Sequence, residues 1–527
     1  MRAQRARAAG AIETILTVVA GGGRSTMTLL AASQAILPYR QRSVAFAQTL
    51  AGRLALVAVV TAMVAAMKMQ HWWAIGIALF LTSLFPDRRK QIILGVGVAW
   101  VFLVPPLNFA VLREIAPQRA AQQWIAPVMW NPVGSMQLDL AAGALLVSAA
   151  CAAFALLFAY GWMIRRFPTS PPARKPVLGL ILLLLALFAV TQLPMPGLLW
   201  LFLAATAMAF NQYIWFFAFW IVESRNRAIE QTLPATYAWR PFWGFTTVPF
   251  GKGATYLQSV EAKSDEELAD TQLRGVKLLV LAALWTAVLI ILKRFLFGPS
   301  ESLTAIPHHA PNGRIPTYEM ALDAMANGHP YPWAMRWAAL AGYFAMWVLY
   351  FTIFGHKIVG IARVAGFNLY RNTYKPYLAT SIADFYNRIY YYFKELLVAF
   401  FFYPTYLRYF KKRPKLRLFV ATLAAAGFGN VLFHFLRTDE RILRDGLIKT
   451  AIFFQPYIFY GLLLGGAISI SQLRGAGRRK EPPTGLRRLI AIAGVWLFFC
   501  LICIIQEPND SHGLRDYGHY FLSLLIP

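Results

Sequence analysis

Acidic side chains are scarce in this chain: 23 Asp and Glu stand against 51 Lys and Arg in 527 residues, and charged residues of both signs make up only 14%. A water-soluble domain carries about 25%, so a chain this poor in charge and 58% hydrophobic is not an ordinary soluble globule. Cysteine is also nearly missing. The three present, Cys151, Cys500 and Cys503, lie inside apolar stretches, and "CLIC" at 500–503 has neither a second pair nor a histidine cluster beside it, which argues against a disulfide framework or a metal knot. No internal repeat divides the chain, and "FGKG" at 250–253 lacks the full GxxxxGK[ST] pattern of a phosphate loop. The formal charge of +28 would suggest nucleic acid in a soluble protein. Here the basic residues crowd into short loops between apolar runs, the pattern that orients membrane helices, so no nucleic-acid partner is expected.

Apolar runs are what the chain has in abundance. They recur at 52–67, 70–85, 91–110, 140–163, 177–193, 196–222, 276–297, 335–361, 391–410, 418–436, 447–472 and 488–506. A membrane-spanning helix needs about 20 mostly apolar residues, so the pattern predicts an all-α polytopic membrane protein. It should hold about ten to twelve helices, not all of them spanning.

Charge sets the expected orientation. The stretch 1–51 carries Arg2, Arg5, Arg7, Arg24, Arg40 and Arg42 against Glu13, and reads as a basic cytoplasmic arm or surface helix rather than a signal sequence, because the first long apolar run begins near 52. Transmembrane helices follow over 52–222, then a cytoplasmic segment of balanced charge over 223–275, a second membrane core over 276–506, and an extracytoplasmic, amphipathic tail over 507–527. "PDRRK" (86–90) and "RRFPTSPPARKP" (165–176) belong inside; 111–139 and 298–334 are nearly neutral and belong outside. "KKRPKLR" (411–417) and "RGAGRRKEPPTGLRR" (474–488) both call for the cytoplasm. Both are satisfied if 391–410 turns back as a re-entrant or in-plane helix. That segment carries Lys394, Glu395, Pro404 and Arg408, which persist at membrane depth only where protein or a wet cavity surrounds them. A cavity lined by residues of about 366–436 follows.

"AAGFGNVLFHFLR" (425–437) places His434 in an apolar run. An ionisable group there is a functional candidate by default, although a histidine can also simply bond a neighbouring helix. Gly427 and Gly429 allow close helix packing, Asn430 shares the histidine's face four residues earlier, and Arg437 follows. Upstream, "GFNLYRNTYKPYLATSIADFYNRIYYYFKELL" (366–397) runs from a basic, Asn-containing loop through Thr380, Ser381 and Asp384, suited to a helix start, into a dense aromatic helix threaded with Asn387, Arg388, Lys394 and Glu395. An aromatic interface belt does not need those polar residues; a pocket for something part apolar and part anionic does. The stretch 238–258 reads as an aromatic interfacial loop near the cytoplasmic entrance, and "EAKSDEELADTQLRG" (261–275) as a solvated helix. His308, His309 and His329 lie in the external loop without metal-ligand spacing, so no metal is expected; that loop is a candidate contact for an acceptor or partner.

"KPYLATSIADFYNRIYYYFKELLVAFFFYP" resembles the signature of the membrane-bound O-acyltransferase family, "SI..FWRRWH.SL..W.RDY.Y.P", followed by a helix with an invariant histidine. Phe385 and Tyr386 stand at the Phe-Trp pair, Arg388 at the second arginine, Pro404 at the trailing proline, and His434 where the family's histidine is expected. The likeness is strongest over about 366–465 and is to divergent, bacterial, alginate-O-acetylase-like members. Tyr390 replaces the histidine of "RWH", Ile389 its tryptophan, and "FHF" the usual "WHG". The resemblance implies helices around a central catalytic tunnel and acyl transfer from acyl-CoA, with acetyl-CoA expected as co-substrate, to a hydroxyl of a glycan, an exopolysaccharide or a lipid-linked acceptor. It implies His434 as general base, with Asn430, Asn387 or Tyr390 as donors to the oxyanion. Arg371, Lys375, Arg388 and 411–417 would face the coenzyme's phosphates, with Asp384 and Asn387 also toward substrate. It further implies a bacterial inner membrane, a cytoplasmic N-terminus and an extracytoplasmic acyltransferase partner. Two other readings use the same residues: a transporter or flippase binding substrate or protons at His434 and Asp384, which lacks the paired halves such proteins often show, and a lipid-linked-sugar glycosyltransferase, for which 111–139 offers only Glu114 and Asp139.

Overall fold

A computed structural model describes residues 41–69, 72–103, 112, 136–224, 248, 252–299, 306–310, 312–475 and 483–526. Most of the basic arm, most of 111–139 and of 238–251, and the middle of 474–488 lie outside the described residues. The described chain is nearly all helix. Seven of its helices are long and apolar enough to cross a membrane: Ala144–Arg166, Gly197–Glu223, Asp265–Phe297, Trp333–Val364, Pro414–Leu436, Gln455–Arg474 and Gly485–Ile505. An eighth is added if Gln41–Gln48 and Leu50–Ala66, bent by 99° at Thr49, act as one span. The protein is therefore an all-α polytopic membrane protein. The apolar runs near 70–85 and 177–193 form Trp72–Leu84 and Pro176–Val190, which at 1.5 Å per residue are about 20 Å long and fall short of a hydrocarbon core of about 30 Å.

Local sequence explains where the helices begin and end. Ser264 caps Asp265–Phe297 through its hydroxyl, which accepts from the Glu267 amide, and three acidic residues sit in the positive first turn. That helix runs unbroken through 265–275, and the stretch is not fully solvated: Leu268, Ala269, Thr271, Gln272 and Gly275 are buried because Gly275 lets the backbone of Trp333–Val364 come close, a Cβ there lying 2.7 Å from the Gly360 carbonyl. The run expected over 447–472 is divided at Phe454, between Asp439–Phe453 and Gln455–Gly475, where Pro456, with no amide hydrogen to donate, stands in the first turn; just before the run Gly446 adopts a left-handed φ of 85°. The segment 391–408 is helical in three pieces, Tyr391–Leu397, the π-helical turn Val398–Phe402 and Tyr403–Arg408, and is not among the seven spans.

Hydrogen bonds and ion pairs gather the connections at two ends. At one end Arg53 pairs with Asp265 at 2.6 Å, Lys90 with Glu261 at 2.5 Å, and Arg89 donates to the carbonyls of Ala262 and Gly366. At the other His512 meets Asp323 at 2.6 Å, Arg441 pairs with Asp510, and Trp333 and Trp337 both donate to the Leu524 carbonyl. The tail helix Leu514–Leu525 thus packs on the loop helix Tyr318–Ala326, burying Tyr517 and Tyr520.

Two large apolar cores lie between these ends. One joins the N-terminal helices to 358–369, 392–400 and 433–443; the other joins 318–348 and 379–389 to 454–468 and 495–524. Tyr386, Tyr390 and Phe435 pack against both, and Ala425 belongs to the first while Ala426 belongs to the second. Pro414–Leu436 lies along the seam.

Candidate functional site in the seam between the cores

The helix carrying His434 is irregular just before it. Leu423–Gly429 forms a π-helical turn, a feature often found at functional sites. Gly427 and Gly429 are points of close approach: a Cβ on Gly427 would lie 3.2 Å from the Gly461 carbonyl, and one on Gly429 would lie 2.7 Å from the Phe401 ring. Beyond His434 the last turn is tied down by Asn211, buried in Gly197–Ser224, whose amide donates to the Leu436 carbonyl at 2.7 Å and to Asp439 at 3.1 Å.

The imidazole is bracketed by rings. Tyr457 lies at 4.9 Å, Phe433 at 5.4 Å and Phe393 at 5.7 Å, centroid to centroid. His434 is half-buried, and its ring nitrogens bond to no described residue. Asn430 is buried one turn earlier, and its side-chain oxygen accepts from the Tyr457 hydroxyl at 3.4 Å, a long and weak bond. With the oxygen so engaged, the amide NH2 is the end of Asn430 left for a ligand, in the assignment this bond supports.

The other expected residues divide into two groups. Tyr390 shares a neighbour with the histidine: it joins Ile382–Ile389 to Tyr391–Leu397, and its ring lies 5.7 Å from Phe393 and 5.7 Å from Phe351. Phe385 is fully buried and stacks on Phe499 at 3.9 Å, while the buried Tyr386 hydroxyl has no hydrogen-bond partner. The polar set stands apart from His434. Asp384 and Arg388 pair with each other at 2.7 Å across one helical turn, and Asp384 also accepts from the Thr380 amide. Asn387 is exposed on the same helix. Arg371 and Lys375 each lie 5.7 Å from the Tyr374 ring, in a loop whose Tyr370, Tyr374 and Tyr377 are exposed. The basic segment 411–417 is exposed except toward its end, where Arg417 covers the Tyr406 ring at 3.9 Å.

Three groups escaped the sequence reading. Tyr457 is one; Phe454, Tyr457 and Tyr460, spaced by three, form an aromatic stripe that a helical plot of "FFQPYIFYG" would have displayed. The second is Lys252, whose ammonium sits 2.8 Å from Glu395 and 4.9 Å from the Tyr391 ring. Burial alone would raise the Glu395 carboxyl, but Lys252 and Lys394 outweigh it and hold the acid below its usual range. No local pattern links 252 to 395. The third is Glu507, an exposed carboxyl near Tyr343 and His308. Among the described residues no group of three or more His, Cys, Asp or Glu side chains can hold a metal; His308 is instead paired with Glu319 at 2.7 Å.

Fold and site together define a multi-pass, all-helical membrane protein with an imidazole set among aromatic rings at the seam of two cores, its nitrogens bonded to no described residue. Comparison of the chain with protein-family models finds no match, and comparison with curated proteins finds none either.

Proposed function

We propose that this protein is a membrane-embedded O-acyltransferase that moves an acyl group, acetyl in the simplest case, from acyl-CoA to a hydroxyl of a glycan or lipid-linked acceptor. The observation that carries the reading is the His434 ring, set among Phe393, Phe433 and Tyr457 with no hydrogen-bond partner among the described residues and with Asn430 one turn away. The 366–404 motif adds its likeness to the family in which such a histidine is the base.

In the proposed reaction the acceptor oxygen attacks the thioester carbonyl while His434 takes its proton. The new C–O bond forms, the C–S bond breaks, and the proton passes from the imidazolium to the departing thiolate, leaving the ester and free coenzyme A. General-base help of this kind is worth about 10²- to 10⁴-fold. The Asn430 NH2 would donate to the developing oxyanion, a contact useful only if it tightens in the transition state. Arg371, Lys375, the exposed Tyr370, Tyr374 and Tyr377, and the open 411–415 cluster supply cations and flat rings for the nucleotide end of acyl-CoA. That end would be cytoplasmic, with the N-terminus on the same side of a bacterial inner membrane and an extracytoplasmic partner able to complete the transfer. A proton-coupled transporter is less well supported, because Asp384, which it would use, is paired with Arg388.

His434→Ala should lower transfer from labelled acetyl-CoA in membranes by at least about a hundredfold, with expression and insertion unchanged. Undiminished transfer by the inserted variant would refute the assignment.

A further inference from the structure

The hairpin of Leu50–Ala66 and Trp72–Leu84 holds a groove of about 740 Å³ that plays no part in the reaction above. Residue size explains why it is there. One helix lines it with Ala58, Ala62 and Ala65, which the helical repeat sets along one face. The other contributes Gly76 at the point where the two helices meet, and a Cβ there would lie 2.8 Å from the Thr61 methyl carbon. Small side chains thus let the backbones approach and leave the space beside the contact unfilled. Trp72, Trp73, Ile77 and Phe80 form the second wall, each about half exposed. Val60, Val64, Ile75 and Leu79 point the other way and are buried in the first apolar core. The groove therefore lies on the outer side of the hairpin, open to the hydrocarbon of the bilayer.

We propose that this groove binds one anionic phospholipid, with a tail between the two helices and the phosphate on Lys68. Length and volume favour a tail. From Leu54 to Ala65 the wall rises about 17 Å at 1.5 Å per residue, close to half of a hydrocarbon core of about 30 Å, which is the depth one leaflet's tails occupy. A further helix, at least about 10 Å across, needs roughly 420 Å³ for each turn. The groove would hold less than two turns of one. Charge favours the headgroup. The turn that joins the helices carries Lys68, which is exposed, has a φ of 50° and bonds through its ammonium to no described residue. It stands at the end of the hairpin opposite Arg53, whose guanidinium is already paired with Asp265. Helices of 17 and 13 residues fall short of the far membrane surface, so this cation sits at a depth where an uncompensated charge is costly. A lipid phosphate drawn down to the short hairpin compensates it, the flexible lysine stem reaching up to meet it. Trp72 and Trp73, four and five residues further on, are the ring type that settles at headgroup level.

The test is native mass spectrometry of the full-length protein in detergent, titrated with dioleoyl phosphatidylglycerol or dioleoyl phosphatidylcholine. Phosphatidylglycerol should show one saturable tight step, about fivefold tighter than that of phosphatidylcholine, the effect of one cation on an anionic lipid. Lys68→Asn, which tolerates a left-handed backbone, should remove the preference, and Lys68→Arg should keep it. Ala62→Phe fills the groove from an exposed position and should abolish the tight step for both lipids. Ala58→Phe, on the same wall, gives the same readout if Ala62→Phe does not fold. Absence of a saturable step, equal affinity for the two lipids, or unchanged binding by the Lys68→Asn and filled-groove variants would overturn the proposal. So would a wild-type dimer that Ala62→Phe dissolves, since the groove would then belong to contact with a second copy of the chain.

Discussion

At the scale of single residues, cost identifies the unusual positions. A polar side chain inside a membrane bundle is expensive unless it is partnered, and most such groups here are: Asn211 bonds Leu436 and Asp439, and His356 reaches the Thr352 carbonyl at 2.6 Å. His434 is different in having rings around it and no bond to it. Tyr457 is the residue whose removal best tests the local arrangement. Tyr457→Phe keeps the ring beside the imidazole and frees the Asn430 oxygen, so transfer should fall by about tenfold or less, the effect of one weak hydrogen bond; a loss as deep as that of His434→Ala would make Tyr457 a group that acts on substrate. Tyr390→Phe, assayed the same way, should be milder than His434→Ala, and equal severity would give its hydroxyl a catalytic role.

At the scale of elements, the interface between Pro414–Leu436 and Gln455–Gly475 depends on small residues. Gly427, Gly461 and Gly465 bring the two backbones together, and a Cβ on Gly465 would lie 2.9 Å from the Gly427 amide nitrogen. Backbone cannot move aside as a side-chain tip can. Gly465→Ala should therefore destabilise by about 1–3 kcal/mol, the usual range for overpacking, read as a lower melting temperature in detergent, and should disturb the turn that positions His434. A melting temperature equal to wild type would mean that the π-helical turn yields without strain. The π-helical turns at Val398–Phe402 and Leu423–Gly429 face one another across the same region, so both elements beside the site depart from regular α-helix.

At the scale of the whole molecule, the two cores meet at the segment that carries the site, and Asp439 links them to pH. Burial pushes this carboxyl up to about 6, although the Asn211 amide pulls the other way. The unfolded chain releases the same proton near 3.9. Between those values the folded protein holds more protons, so stability falls as pH rises from about 4 to about 6 and then levels off. The loss is on the order of 3 kcal/mol. Asp439→Asn keeps an oxygen for Asn211 and cannot ionise. It should flatten this part of the stability profile, measured as melting temperature at pH 4.5 and 7; parallel profiles for variant and wild type would assign the dependence elsewhere.

The class of protein and its most prominent residue can be read from the chain without coordinates. Apolar runs of spanning length and the shortage of charge suffice for an all-helical membrane bundle, because the solvent that receives it permits little else. A lone histidine at the end of one run is visible without coordinates. What only the tertiary structure decided is which groups meet. Ser381 as a helix cap was legible, since capping is local. The break at Phe454 was not, because hydropathy stays high across it. Tyr457 beside His434 and Glu395 beside Lys252 join residues distant in the chain. Their meeting depends on how two apolar cores settle against each other, a global balance that no short stretch of residues encodes.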